Sequence, residues 1–224
     1  MTGEVVLDLR NASAGYAGRQ VLHGIDLTIR SGESIAIMGR SGAGKSTLLG
    51  LLYDQLPTDI ALVPQAAALV KVLSVFHNVY MGRLDRHSTG YNLRTLVWPA
   101  RDELDRVSGV LSEVGLSEKL REPAGALSGG QQQRVSVARA LFNGRQIMVA
   151  DEPVSALDRV QGSEILSVIR RRCKTLVMAV HDVGLAFEHA DRIVVLEQGR
   201  KVIDRPSREL TARDLVDYFG GVPA

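Results

Sequence analysis

The chain is short of cysteine: Cys173 stands alone among 224 residues. An internal disulfide is therefore excluded, and no second thiol is present to share a metal ion. A buried, inert thiol is expected at that position. Long apolar runs are also missing, since none approaches the roughly 18 residues of a membrane-spanning helix. The first ten residues carry Glu4 and Asp8 rather than a basic flank and an apolar core, so no secretory leader is expected there. Charge of one sign is lacking too. Lys and Arg total 27 against 25 Asp and Glu, a net +2 that gives no ground for a nucleic-acid partner. There are no internal repeats and no low-complexity tracts. What remains is an ordinary balance of 45% hydrophobic and 23% charged residues. A chain of this length buries roughly 70% of its unfolded surface. These features together fit a reducing, cytoplasmic compartment.

Against that plain background one stretch stands out, Gly39-Arg40-Ser41-Gly42-Ala43-Gly44-Lys45-Ser46-Thr47. It contains G-x-x-x-x-G-K-S, the phosphate-binding loop pattern. The apolar run Ser34 to Met38 before it reads as a buried strand, and Ser46 to Tyr53 after it reads as a helix. Backbone N–H groups must approach a triphosphate closely, and a Cβ at Gly39, Gly42 or Gly44 obstructs that approach. The helix start turns its unpaired N–H groups and positive dipole end toward the phosphates. Lys45 would reach the β- and γ-phosphates, and the Ser46 hydroxyl would ligate Mg²⁺.

In chain order, Val5 to Leu9 reads as an edge strand, Asn11 to Gly18 as a loop, and Val21 to Ile29 as a half-buried strand. The helix after Lys45 ends before Pro57, and Ile60 to Val63 is a short strand. From Ala66 to about Phe142 helical spacing takes over. Between residues 71 and 101, Lys71, Arg83, Arg86, Arg94 and Arg101 face one acid, Asp85. The same span holds Phe76, Tyr80, Tyr91 and Trp98. A solvated basic face over core aromatics and a docking surface both fit this composition. After Phe142 strands alternate with helices again: strands at 146–150, 175–180 and 192–196, helices at 160–172, 183–189 and 209–219. Such alternation implies a mostly parallel sheet covered on both faces.

Two further clusters carry chemistry. The apolar strand Ile147 to Ala150 runs into Asp151 and Glu152. Strand C-termini are where α/β sheets bind ligands. Asp151 would hold Mg²⁺, directly or through water, and Glu152 would orient and deprotonate a water for in-line attack on the γ-phosphorus. The stretch Leu127-Ser128-Gly129-Gly130-Gln131-Gln132-Gln133-Arg134 opens a helix. Ser128 and Gln131 have capping-box spacing, and the two glycines leave the first amides bare, which makes a second anion site. One phosphate loop already serves one nucleotide. A second anion site about 80 residues away would need a nucleotide held by another subunit.

Taken together these residues resemble the ATP-binding subunit of ABC transporters, over almost the whole chain. Leu127 to Arg134 looks like that family's signature motif, and Gly39 to Thr47 and Ile147 to Glu152 look like its two nucleotide-binding motifs. The resemblance implies an α/β P-loop NTPase fold with a RecA-like parallel-sheet core, residues 1–65 and 143–224, and a helical signature subdomain, residues 66–142. It implies a Q-loop glutamine at Gln65, which touches Mg²⁺ and senses the membrane partner. It implies a D-loop at Ser155-Ala156-Leu157-Asp158, a switch histidine at His181 contacting the γ-phosphate, and an adenine-stacking aromatic at Tyr16. It also implies ATP and Mg²⁺ as ligands, and a head-to-tail dimer of like or unlike ATPase subunits with two sandwiched ATPs. Each ATP would be gripped by Lys45 of one protomer and by Ser128 and Gly130 of the other. Only 19 residues separate Lys45 from Gln65, so the antiparallel β arm the family carries there must be reduced. Arg159-Val160 also replaces the proline often found after the D-loop.

Asn78 to Leu84, with His87-Ser88-Thr89 and Leu93 to Pro99, resembles the ATPases of phosphonate-type importers. That implies a permease on the cytoplasmic face of the inner membrane and, indirectly, a periplasmic or lipid-anchored solute-binding protein. An exporter or lipid-extraction ATPase shares the catalytic motifs. A ribosome-associated or DNA-repair ATPase is a further alternative, though one cassette without heptads fits it poorly. A degenerate subunit is opposed by the presence of both Glu152 and His181. No C-terminal regulatory domain is expected after Phe219.

Overall fold

The computed structural model describes residues 3–16, 18–55 and 59–219. Its core is a six-stranded sheet whose middle strands are buried on both faces. The strands are β3 (Ser34–Met38), β4 (Ile60–Val63), β5 (Ile147–Asp151), β6 (Thr175–Ala179), β7 (Arg192–Glu197) and β8 (Arg200–Pro206), in the order β4-β5-β6-β3-β7-β8. All pairings are parallel except β7 with β8. Side chains alternate across a strand, and here both sides are apolar. Ile35 and Ile37, Val149, Val177 and Val194 point to one layer; Ala36 and Met38, Met148, Leu176 and Ile193 point to the other. This double burial explains why these strands read as near-continuous apolar runs.

The first layer is helix α1 (Lys45–Gln55), whose Leu48, Leu49 and Leu52 are sealed by an antiparallel hairpin of β1 (Val5–Tyr16) and β2 (Arg19–Arg30). The second layer holds α2 (Val75–Tyr80), α3 (Thr89–Val97), α4 (Arg101–Glu113), α5 (Gly129–Asn143), α6 (Arg159–Arg172), α7 (Val183–His189) and α8 (Ala212–Phe219). Side-chain oxygens of Ser74, Ser88, Ser128, Asp158 and Asp182 cap the starts of α2, α3, α5, α6 and α7. Among the described residues no helix is long and apolar enough to cross a membrane.

The structure departs from or adds to the sequence reading at four places. The segment Asn11 to Tyr16 is strand, not loop: β1 continues past register shifts and a left-handed Asn11 (φ 46°) because β2 offers it a ladder to pair with. Strand β8 goes unmarked in the sequence, since its half-exposed face gives only weak alternation. The terminal helix begins at Ala212, where Asp214 accepts from the Thr211 N–H, rather than at Glu209. The basic stretch is only partly a free surface. Arg83 donates to the Phe142 carbonyl and lies 4.5 Å from the Phe142 ring centre, and Arg86 donates to the Asn143 carbonyl. Both cations therefore satisfy the negative C-terminal end of α5. Phe76 and Tyr80 are buried, whereas Trp98 is 77% exposed beside the exposed Leu93, Leu96 and Val97.

The short span after the phosphate loop runs from α1 to β4 with no strand among its described residues, so the antiparallel arm consists of β1 and β2. Cys173 ends α6 and is buried, and burial pushes its thiol up to about 11 against the opposing charge of Arg172. About one thiol in a thousand is then thiolate at pH 8, and the thiolate is the reactive form. Alkylation of the native chain at pH 8 should accordingly be at least ~100-fold slower than in denaturant, as mass spectrometry can follow.

Candidate nucleotide site

The site lies at the C-terminal ends of adjacent strands, where α/β sheets place ligands. Strand order brings the ends of β4, β5, β6 and β3 side by side. Residues far apart in sequence thus surround one cavity of about 700 Å³, ample for a nucleotide.

The loop from β3 to α1 forms one wall. Gly39, Gly42 and Gly44 have φ of 144°, 79° and 101°, which side chains rarely adopt. A Cβ on Gly39 would also strike the Leu196 carbonyl. Lys45 is only 6% exposed, and its Nζ donates to the carbonyls of Gly39 (2.9 Å) and Arg40 (3.2 Å). Burial lowers its pKa, while the carboxylates of Glu152 and Asp151 oppose the shift. Ser41, Gly42, Gly44, Ser46 and Thr47 line the cavity with Lys45. Ala43 is buried behind them, its carbonyl accepting from the Gly199 N–H.

The opposite wall comes from β5 and β6. Pairing of Asp151 with Ala179 sets the residues that follow each strand beside one another. His181 Nε2 lies 2.6 Å from Glu152 Oε1. Glu152 is left-handed at φ 52°, a conformation that costs a non-glycine residue on the order of 1 kcal/mol or more. Its N–H donates to the Ala179 carbonyl at 3.1 Å, which helps hold the turn. Asp151 is 8% exposed, and its Oδ1 has no hydrogen-bond partner among the described residues. Gln65, past the end of β4, completes the lining with Glu152 and His181.

The structure does not bring every expected residue into this cavity. Ser128 caps α5 through the expected capping box: the Gln131 N–H donates to Ser128 Oγ, and Gln131 Oε1 accepts from the Ser128 N–H. Ser128, Gly129, Gly130 and Gln131 lie outside the lining, and so does Asp158, which caps α6. The side chain of Tyr16 lies outside the described residues. Arg19, Gln20, Val21 and His23 of β2, with Gln198 and Gly199, line the cavity without having been singled out. No sequence pattern marks them, because the β2 residues enter only through the fold of the hairpin over α1, and Gln198 and Gly199 only through the turn from β7 to β8. A further omission is Gln133, 6% exposed, whose amide joins α5 to the backbone of Glu152. The run Gln131-Gln132-Gln133 hinted at it, since an amide on the buried side of a helix needs partners.

A glycine-rich loop holding a buried lysine at a helix start, facing a carboxylate–imidazole pair, defines a nucleoside-triphosphate hydrolase of the phosphate-loop class. Within that class the chain belongs to the ABC transporter family, whose model, described as "ABC transporter", matches residues 22–155. It is an ATP-binding, ATP-hydrolysing cassette. Among curated proteins it is similar to the phosphonates import ATP-binding protein PhnC of Caulobacter vibrioides, with 35% identity over 98% of this chain and 95% of that protein. The namesake from Thiobacillus denitrificans is 38% identical over 88% of this chain and 86% of its own length. Among solved structures, a dimeric bacterial ABC transporter cassette superposes with a TM-score of 0.79 at 27% identity, over 90% of this chain and 98% of that one.

Proposed function

We propose that this chain powers phosphonate import through a separate membrane permease, acting as one of two cassettes on the cytoplasmic face of the membrane. The observation that carries the ATPase chemistry is the Glu152–His181 contact facing Lys45 across one cavity. The names of the relatives supply the solute class. Lys45 neutralises the β- and γ-phosphates, and the loop amides of residues 42–47 cradle them. Glu152 takes a proton from the attacking water, and His181 holds that carboxylate and reaches the γ-phosphate.

Asp151 offers a buried carboxylate oxygen without a partner among the described residues, Ser46 a hydroxyl and Gln65 an amide oxygen. These hard oxygen donors fit Mg²⁺, which keeps waters and shares phosphate oxygens rather than needing an all-protein cage. When bound, Mg²⁺ neutralises charge on the transferring phosphoryl group. Ser128 and Gly130, outside the cavity of their own protomer, stand ready for the nucleotide of a partner, as a head-to-tail dimer requires. Asp158, which caps α6, is read as a residue of the same junction, and Tyr16 as the adenine platform. Residues 1–65 and 143–224 act as the nucleotide-binding core and residues 66–142 as the permease-facing helical unit. The exposed apolar face of Leu93, Leu96, Val97 and Trp98 supports that last assignment.

The solute class is testable in proteoliposomes holding the chain, its permease and its solute-binding protein. Phosphonates should stimulate ATP hydrolysis several-fold. Stimulation by amino acids or peptides alone would remove the phosphonate assignment.

A further inference from the structure

We propose that Gln133 is the positioning residue for Glu152, locking the start of the signature helix to the carbonyl of the catalytic base. This rests on the reading of Glu152 as that base. Gln133 is one helical turn beyond Gly130 in α5 and is buried. Both ends of its amide are used. Nε2 donates to the Glu152 carbonyl (2.5 Å) and to Ser155 Oγ (3.2 Å), and Oε1 accepts from the Ala156 N–H (2.7 Å). Ser155 Oγ lies 3.2 Å from the same Glu152 carbonyl, its hydroxyl donating there.

The target of these bonds is a strained residue of the site, the one that carries the catalytic carboxylate. Glu152 sits at φ 52°, and such a conformation persists only where its surroundings over-determine it. The Ala179 carbonyl holds its N–H, and Gln133 with Ser155 holds its carbonyl. With both peptide flanks fixed, the side chain is left aimed at His181. The same turn is packed against the helix start: a Cβ on Gly130 would fall 2.9 Å from the Ala156 carbonyl oxygen and 2.9 Å from Leu157 Cδ2. The two surfaces that must be correct together are thus one body. The N-terminus of α5 meets the partner's nucleotide, and the turn after β5 carries the base for the protomer's own nucleotide.

A side-chain amide meets these demands at any pH, because it donates and accepts at once within a buried turn. In Gln133→Glu an ionised carboxylate still accepts from the Ala156 N–H but faces the Glu152 carbonyl with a second acceptor. In Gln133→Leu all three bonds are lost. Neither change touches the cavity that holds ATP, so nucleotide affinity should stay within about twofold of the parent, whereas kcat should fall on the order of 10-fold or more. The distinguishing readout is the pH profile. Protonation of the introduced carboxyl restores the missing donor, so the kcat of Gln133→Glu relative to the parent should rise as pH falls from 8 to 6. Gln133→Leu should show no such recovery. Thermal melts check that both variants fold.

Parent kcat in folded Gln133→Leu, or a flat pH ratio for Gln133→Glu, overturns the proposal, as does an equal loss of ATP affinity and kcat. Glu152→Gln serves as the companion measurement. If it turns over normally, the base assignment itself fails. If it is inactive while Gln133→Leu is normal, only the positioning role fails.

Discussion

Glu152→Gln is expected to abolish steady-state ATP hydrolysis, by 10²-fold or more, while ATP still binds. General-base catalysis is worth about 10²–10⁴ in rate, and Glu152 is the one carboxylate that both lines the cavity and contacts His181 among the described residues. The substitution keeps the size of the side chain and its ability to bond His181, so the wall of the cavity is preserved. It removes only the capacity to accept a proton from water. Since ATP then persists, the form in which two protomers share it should accumulate. Size-exclusion chromatography with ATP and Mg²⁺ should show a dimer that the parent forms only transiently. Hydrolysis by the variant at near the parent rate would assign the base elsewhere.

Lys45→Ala is expected to act one step earlier, on binding. The Lys45 ammonium is buried at the mouth of the loop, where it bonds the carbonyls of Gly39 and Arg40. Its desolvation, visible in the lowered pKa, is a cost carried by the free protein. Each charge-assisted hydrogen bond it makes to phosphate contributes about 1.5–3 kcal/mol, so ATP affinity should drop on the order of 100-fold. The fold should not suffer in proportion. Removing a desolvated cation leaves behind two carbonyls at an open cavity, so the melting temperature without nucleotide should change by only a few degrees. Calorimetry with ATP tests the first expectation and a thermal melt the second. Unchanged affinity would take Lys45 out of the phosphate site.

How much was legible before the fold was known follows from how local each feature is. The phosphate loop was fully legible. Its function depends on glycine φ values, backbone amides and a helix start within nine consecutive residues, all set by near neighbours. The capping box of Ser128 and Gln131 was legible for the same reason. The hairpin was half legible, because bulges at Asn11 and Ala12 break the alternation that announces a strand. The basic stretch was only partly legible: charge counting cannot tell a solvated arginine from Arg83, whose guanidinium bonds the end of α5 59 residues later.

Composition and contiguous spacing alone therefore determined the class of chemistry, the phosphate cradle, the two carboxylates at a strand end and the exposed start of the signature helix. Each of these is written in backbone geometry over a few residues, where pairing with distant chain is not needed. The tertiary structure decided which of them meet. Adjacency of β5 and β6 brings Glu152 to His181 across 29 residues, and burial of one particular glutamine out of three ties α5 to that turn. Such contacts depend on strand order and on which face of a helix is covered, and these are settled only when the whole sheet closes and its apolar faces are buried together.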